Sequence, residues 1–86
     1  MSFESTWLSI KNHEGEDFRT VLGLRFTYQI SNDYLTTTRT DYPISKSDFE
    51  KAYSLKRLEG PGQLANLVRG PSYVFAILTD KRIQGE

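Results

Sequence analysis

The sequence predicts an α+β fold, with an antiparallel sheet of three to four strands from the N-terminal half packed by two to three helices from the C-terminal half. Three observations predict it: an alternating apolar pattern over residues 17–30, a tight turn with a threonine-rich return, and three later helix starts. Strand signals that precede helix signals, rather than alternating with them, are typical of this class. The 86 residues are expected to form a single domain, residues 1–86.

The main strand signal is DFRTVLGLRFTYQI, residues 17–30, in which large apolar side chains recur at even positions. A period of two indicates a strand with one buried face. Gly23 lies in the middle of this pattern and marks a bulge, a bend or a break into two strands. A short first strand is predicted at Trp7–Ile10, before the turn that contains Gly15.

A hairpin is predicted around Asn32–Asp33, because both residue types tolerate left-handed backbone conformations. The threonine-rich segment that follows favours extended structure. If these two residues form the whole loop, Ile30 pairs with Leu35 and Tyr28 pairs with Thr37. A three-residue loop would shift that register, and both alternatives stay open.

The start of a helix is indicated by two independent spacings. Ser45 and Asp48 have the spacing of a capping box, and Ile44 and Phe49 have that of a hydrophobic staple. Together they predict a helix over about residues 46–56.

Two Gly-Pro pairs, at residues 60–61 and 70–71, predict two further helix starts, because proline at the first helical position loses no hydrogen bond. We expect a short helix from residue 61 to about 68. The apolar run after residue 71 would suit either a helix or a buried strand, and Pro71-Ser72 at its start favours a helix. A phosphate-binding role is not favoured, because Pro61 lacks an N–H group and no lysine-hydroxyl pair follows. The predicted core consists of Trp7, Leu22, Leu24, Phe26, Ile30, Phe49, Tyr53, Leu64, Leu67, Val74, Ile77 and Leu78.

Composition limits the function. The absence of cysteine excludes disulfides and thiolate metal sites. No apolar run reaches the roughly 18 residues of a membrane span, and MSFESTW lacks a signal pattern. We therefore expect a cytoplasmic protein with no membrane contact. Eleven basic and eleven acidic residues give zero net charge, which favours self-association into a homodimer.

Catalytic chemistry is not indicated. His13 is the only histidine, and beside Glu14, Glu16 and Asp17 it would suit either a metal site or a solvated loop. We favour the loop, because no second histidine and no calcium-binding loop pattern is present. No serine-nucleophile motif occurs either. We predict no catalytic residue, no cofactor and no metal, and the sequence favours a non-enzymatic protein.

Three functions are compatible with the sequence. The first is an interaction or adaptor protein that acts as a homodimer, with Tyr73 and Phe75 as interface candidates. The second is a nucleic-acid-binding accessory protein that uses Arg19, Arg25 and, if the strand register shifts, Arg39 on the polar sheet face. The third is a small-molecule binder with an aromatic pocket between sheet and helices and an unknown ligand.

The segments ISKSDFEKAYSL and GPGQLANLVRGPSYVFAILTDKRI cover roughly the second half of the chain. This half resembles a recurrent ending of small uncharacterised bacterial proteins, some of which are carried on mobile gene cassettes of the integron type. The resemblance implies a bacterial protein. It includes no catalytic motif, so it implies no mechanism.

Overall fold

The computed structural model describes residues 2–55 and 57–84. In these residues, helices lie at both ends of the chain and strands lie between them. The helices are α1 (Phe3–Asn12), α2 (Lys46–Tyr53), α3 (Pro71–Leu78) and α4 (Lys81–Gln84). The strands are β1 (Phe18–Arg19), β2 (Arg25–Phe26), β3 (Tyr28–Ser31), β4 (Tyr34–Thr37) and β5 (Ile44–Ser45), and a 3-10 helix spans Pro61–Leu64.

The predicted arrangement, an N-terminal sheet packed by C-terminal helices, is wrong. The fold is α+β, but the chain begins with α1, and the strands occupy the middle. These strands form two antiparallel sheets, one of β1 and β2 and one in the order β3-β4-β5. The first helix contacts both α4 and α2, so elements from the two ends of the chain share one core.

The N-terminal segment is a helix rather than the predicted strand at Trp7–Ile10. Ser2 caps it by accepting a hydrogen bond from the Ser5 backbone N–H, with an N···O distance of 3.4 Å. Glu4 in the first turn and Lys11 in the last turn complement the helix dipole. Its buried residues follow a helical spacing: Phe3, Thr6, Trp7 and Ile10.

The long alternating segment breaks into two strands at a turn that contains Gly23. The Gly23 backbone has a φ of 87°, and its N–H donates to the Thr20 carbonyl at 2.9 Å. The Thr20 N–H donates to the Leu24 carbonyl at 3.0 Å and closes the turn. The core predictions for Leu22 and Leu24 are wrong, because this turn carries both side chains into solvent.

The β3–β4 hairpin has the register predicted for a two-residue loop. Ile30 pairs with Leu35 and Tyr28 pairs with Thr37. The loop residues Asn32–Asp33 have φ values of 50° and 67°, as a turn of this kind requires. Strand β5, which the sequence did not predict, adds to the other edge of β4.

Helix α2 begins where the two spacings predicted. The Ser45 hydroxyl accepts from the Asp48 backbone N–H at 3.1 Å, and Phe49 is fully buried. The helix ends at Tyr53, three residues before the predicted end, and residue 56 itself lies outside the described residues. The Asp48 carboxylate accepts from the Arg69 N–H at 3.1 Å, so it fastens the later loop onto α2.

The two Gly-Pro pairs differ in outcome. Pro71 starts α3, which confirms the second predicted helix. Pro61 starts only a 3-10 helix of four residues, so the predicted helix to residue 68 is wrong, as is the core assignment of Leu67, which is exposed. Gly70 has a φ of 61°, in the left-handed region, where glycine carries the smallest steric penalty.

The core lies between the helices and the inner faces of the two sheets, and aromatic rings fill much of it. Trp7 and Phe49 have ring centroids 5.6 Å apart, and the Phe18 ring lies 5.2 Å from that of Tyr28. The other correctly predicted core residues are buried or half-buried: Phe26, Ile30, Tyr53, Leu64, Val74, Ile77 and Leu78. In the described part of the chain, no helix is both long and apolar enough to cross a bilayer.

Candidate functional site

The β1–β2 hairpin brings two of the predicted arginines together. Arg19 and Arg25 are direct cross-strand partners, as are their neighbours Phe18 and Phe26. Successive side chains of a strand point to opposite faces, and the two phenylalanines are buried. Arg19 and Arg25 therefore share the outer face of the hairpin, which we define as the face opposite the core, and both are exposed.

Arg39 joins them from the end of β4. Its Nε–H donates to the Arg25 carbonyl oxygen at 3.0 Å. Thr38 and Thr27 hold the two chain segments side by side, because the Thr38 N–H donates to the Thr27 carbonyl at 3.0 Å. From the sequence, Arg39 is expected on this face only if the strand register shifts. In the structure it reaches this face although the two-residue loop and its register are kept. Arg19, Arg25 and Arg39 are called the arginine cluster below.

The arginine cluster has no ion-pair partner in the described part of the chain. The acids closest to them in sequence, Asp17 and Asp41, are exposed and make no ion pair in that part either. Exposed arginines without an ion-pair partner are free to attract an external anion at short range.

Uncharged polar groups extend the outer face beyond the arginine cluster. On β3 and β4, Gln29 pairs with Thr36, and both side chains are exposed. Next to them lie Thr27 and Thr38, and the four residues line a shallow depression of about 250 Å³. Amide and hydroxyl groups in such positions hydrogen-bond to phosphate and sugar oxygens.

The turn that joins β1 to β2, residues 20–24, lies at the other end of the cluster and exposes apolar side chains. This turn is called the hairpin tip below. The exposed fractions are 61% for Val21, 88% for Leu22 and 46% for Leu24. Sequence reasoning missed this tip because the even-position pattern continues through it. A usable signal was the mirror order Phe-Arg before the turn and Arg-Phe after it, centred on Leu22.

Tyr73 and Phe75, the predicted interface residues, are both half-buried on α3 and pack against the core. The Tyr73 ring meets the Phe26 ring edge-on, with centroids 5.0 Å apart and an interplanar angle of 87°. These side chains thus contribute to the protein's own core. Their role in a homodimer interface stays a prediction.

The loop that contains His13 forms part of a structural network. His13 Nδ1 lies 3.0 Å from a Glu16 carboxylate oxygen, and Arg82 Nη1 donates to Glu16 at 3.1 Å. The hydrogen bond from His13 lowers the pKa of Glu16, and that from Arg82 lowers it further. Among the described residues, no group of three histidine or acidic side chains is placed to hold a metal ion.

A second depression, of about 370 Å³, lies at the N-terminal ends of α1 and α2. Lys46 and Glu4 form an ion pair across it, with an N···O distance of 3.1 Å. Its other lining residues are Asn32, Asp33, Tyr34, Ser45, Ser47 and Glu50. Tyr34 is the one aromatic residue among the described residues that line this cleft, so it differs from the aromatic pocket that the sequence predicts, and a small-molecule ligand stays a prediction.

Comparison of the chain with protein-family models, with curated proteins and with solved structures found no match. The resemblance to cassette-borne bacterial proteins therefore stays a prediction. The candidate site stands on its own geometry: an arginine cluster, a polar outer face and an apolar hairpin tip.

Proposed function

We propose that this protein is a non-enzymatic nucleic-acid-binding protein of the cytoplasm, whose contact surface is the arginine cluster with the polar outer face. The observation that carries the proposal is the convergence of Arg19, Arg25 and Arg39 without an ion pair in the described part of the chain. Three exposed guanidinium groups that lie together without an ion-pair partner in that part are available to an external anion.

The chemistry of the cluster fits a phosphate backbone. A planar guanidinium donates two parallel hydrogen bonds to phosphate, and each contact releases condensed counterions from the nucleic acid. The neighbouring hydroxyl and amide groups of Thr36, Thr38 and Gln29 supply further hydrogen bonds along the same face. Contacts of this kind position a strand but do not read its sequence, so the binding is expected to depend little on base order.

Self-association, which the sequence favoured, is the weaker candidate. Its proposed anchors, Tyr73 and Phe75, are half-buried against the core of the same chain. An anchor residue of a stable interface gains its energy by passing from solvent into a partner's pocket. These two side chains have little exposed surface left to transfer.

The proposal is tested by fluorescence anisotropy with a short labelled duplex at low salt. The test variant replaces Arg19, Arg25 and Arg39 by Gln. Its control replaces three exposed lysines on α1, α2 and α4 by Gln: Lys11, Lys51 and Lys81. Both variants lose three positive charges, so a difference between them reports position rather than net charge.

The triple arginine variant should lose at least ten-fold in affinity, because it removes three phosphate contacts that each contribute about 0.5 kcal/mol or more. The lysine variant should bind within about two-fold of the wild type. Equal losses in the two variants, or no binding by the wild type, would contradict the proposal.

A further inference from the structure

The hairpin tip is an unusual surface feature for so small a domain. Leu22 leaves 88% of its surface in water, and Val21 and Leu24 add to the same apolar patch. Single exposed apolar side chains are common, but a valine and two leucines in one five-residue turn concentrate apolar surface in one place. The patch stands beside three arginines that have no ion-pair partner in the described part of the chain, so its partner must offer apolar and anionic groups together.

The tip is held in a defined shape. The Thr20 hydroxyl accepts from the Leu24 backbone N–H at 3.1 Å, and the Gly23 N–H donates to the Thr20 carbonyl at 2.9 Å. At the base of the hairpin, Phe18 and Phe26 are anchored in the core with ring centroids 6.0 Å apart. A preorganised protrusion loses little conformational entropy when it inserts into a partner.

The arrangement of charge narrows the choice of partner. Arg19 and Arg25 lie on one face of the hairpin, and Arg19 Nη1 reaches to 3.4 Å from the Gly23 carbonyl at the tip. The cations thus run along one side, from the tip to the polar outer face, rather than around it. A lipid surface is usually bound by a long amphipathic helix with many basic residues on its polar face, which a five-residue turn beside three arginines does not provide.

A second copy of the chain is a poor fit to this patch. A stable interface buries about 800 Å² on each partner, over some 20–30 residues. The three apolar side chains of the tip provide only a small part of this area. In duplex DNA, by contrast, opening a base step exposes the apolar faces of two bases close to the backbone phosphates that flank the step.

We propose that the hairpin tip is an apolar wedge, in which Leu22 enters a base step of duplex DNA while Arg19 and Arg25 bind the adjacent phosphates. Aliphatic side chains that open a base step bend the duplex away from the protein that inserts them. The protein would then be a DNA-bending protein with little base preference beyond easily unstacked steps. This inference rests on the proposed nucleic-acid binding.

The test compares Leu22→Ser with Leu8→Ser, which removes an exposed leucine of α1 far from the hairpin in sequence and with 57% of its surface in water. Both positions are solvent-facing, so both variants should fold. A duplex labelled with a donor and an acceptor at its two ends reports bending by energy transfer. The same samples give affinity by anisotropy and the salt dependence of binding.

The wild type should raise the energy transfer, and Leu22→Ser should lose most of this rise while its salt dependence stays unchanged. Leu8→Ser should behave as the wild type. If the wild type binds duplex without bending it, or if Leu22→Ser bends it as well, the wedge is excluded and the arginine-mediated binding stands. If the wild type does not bind duplex at all, the proposed function itself fails.

Two further outcomes would overturn the wedge. The first is binding to anionic phospholipid vesicles that requires Leu22, observed together with unbent duplex. The second is a dimer in sedimentation equilibrium that Leu22→Ser dissociates, because the tip would then contact a second copy of the chain.

Discussion

Tyr28 on β3 donates a hydrogen bond of 2.6 Å from its hydroxyl to the carbonyl oxygen of Ile10, in the last turn of α1. Both residues are buried: Ile10 has no exposed surface, and Tyr28 exposes 1% of its surface. The carbonyl has a weaker second donor, the His13 N–H at 3.3 Å. This contact ties the N-terminal helix to the sheet that carries the outer face.

Replacing Tyr28 by Phe should lower the free energy of unfolding by about 1–2 kcal/mol, because a buried carbonyl loses its shorter hydrogen bond while the ring packing is kept. Urea denaturation followed by tryptophan fluorescence measures this change. A loss below about 0.5 kcal/mol would mean that the bond contributes little to holding α1 in place.

The same tyrosine predicts a pH dependence. Burial raises the pKa of Tyr28 well above its ordinary value, and the negative charge of Glu16 adds to the shift. A raised pKa gives stability that is complete below the unfolded-state value, about 10, and is lost as the pH rises beyond it. The difference in stability between wild type and Tyr28→Phe should therefore narrow above pH 10. Parallel curves would contradict this account.

Arg82 joins α4 to the segment before β1. Its guanidinium donates to the Asp80 carboxylate at 2.9 and 3.0 Å and to the Asp17 carbonyl at 2.8 Å. It also lies 3.9 Å above the Phe18 ring. The side-chain hydrogen bond from Arg82 lowers the pKa of Asp80.

Arg82→Gln should therefore be less stable than the wild type at pH 7. A lowered carboxyl pKa gives stability that is present above the unfolded-state value, near 3.9 for aspartate, and is lost as the pH falls through the folded-state value. The difference in stability between the wild type and Arg82→Gln should disappear below about pH 4. Thermal unfolding at neutral and acid pH measures it, and a gap that widens in acid would refute this role for Arg82.

Gly70→Ala should destabilise the protein by about 1–2 kcal/mol, the cost of a left-handed backbone in a residue with a Cβ. A Cβ at Gly70 would also lie 2.8 Å from Ile44 Cδ1. Gly62→Ala is the matched control, because a Cβ there meets no atom within 4 Å. The control should change stability by no more than about 0.5 kcal/mol. If Gly70→Ala and Gly62→Ala changed the stability equally, the left-handed backbone of Gly70 would not be the cause of the loss.

Features governed by local chemistry could be predicted from the sequence. The β3–β4 register follows from two residues that accept left-handed backbone, Asn32 and Asp33. The start of α2 follows from Ser45, whose hydroxyl accepts from the Asp48 backbone N–H three residues later. Such signals involve neighbours in the chain, so they survive without knowledge of the tertiary fold.

Three features were not predicted, and only the last of them depends on distant packing. The segment Trp7–Ile10 is too short for its period to separate a strand from a helix, and only the spacing from Phe3 indicates the helix. The tip at Leu22 was assigned to the core because a turn of five residues, 20–24, preserves the even-position pattern on both sides. The meeting of Arg39 with Arg25 depends on pairing beyond the ends of β3 and β4, which strand patterns do not specify.

The dependence of duplex binding on salt tests the central claim most directly. Each arginine that neutralises a phosphate contributes about −0.9 to the slope of log Kobs against log salt concentration. The arginine cluster therefore predicts a slope between about −2 and −3 for the wild type, reduced by about one for each single replacement of Arg19, Arg25 or Arg39 by Gln. A wild-type slope near zero, or one that these replacements leave unchanged, would contradict binding through the arginine cluster.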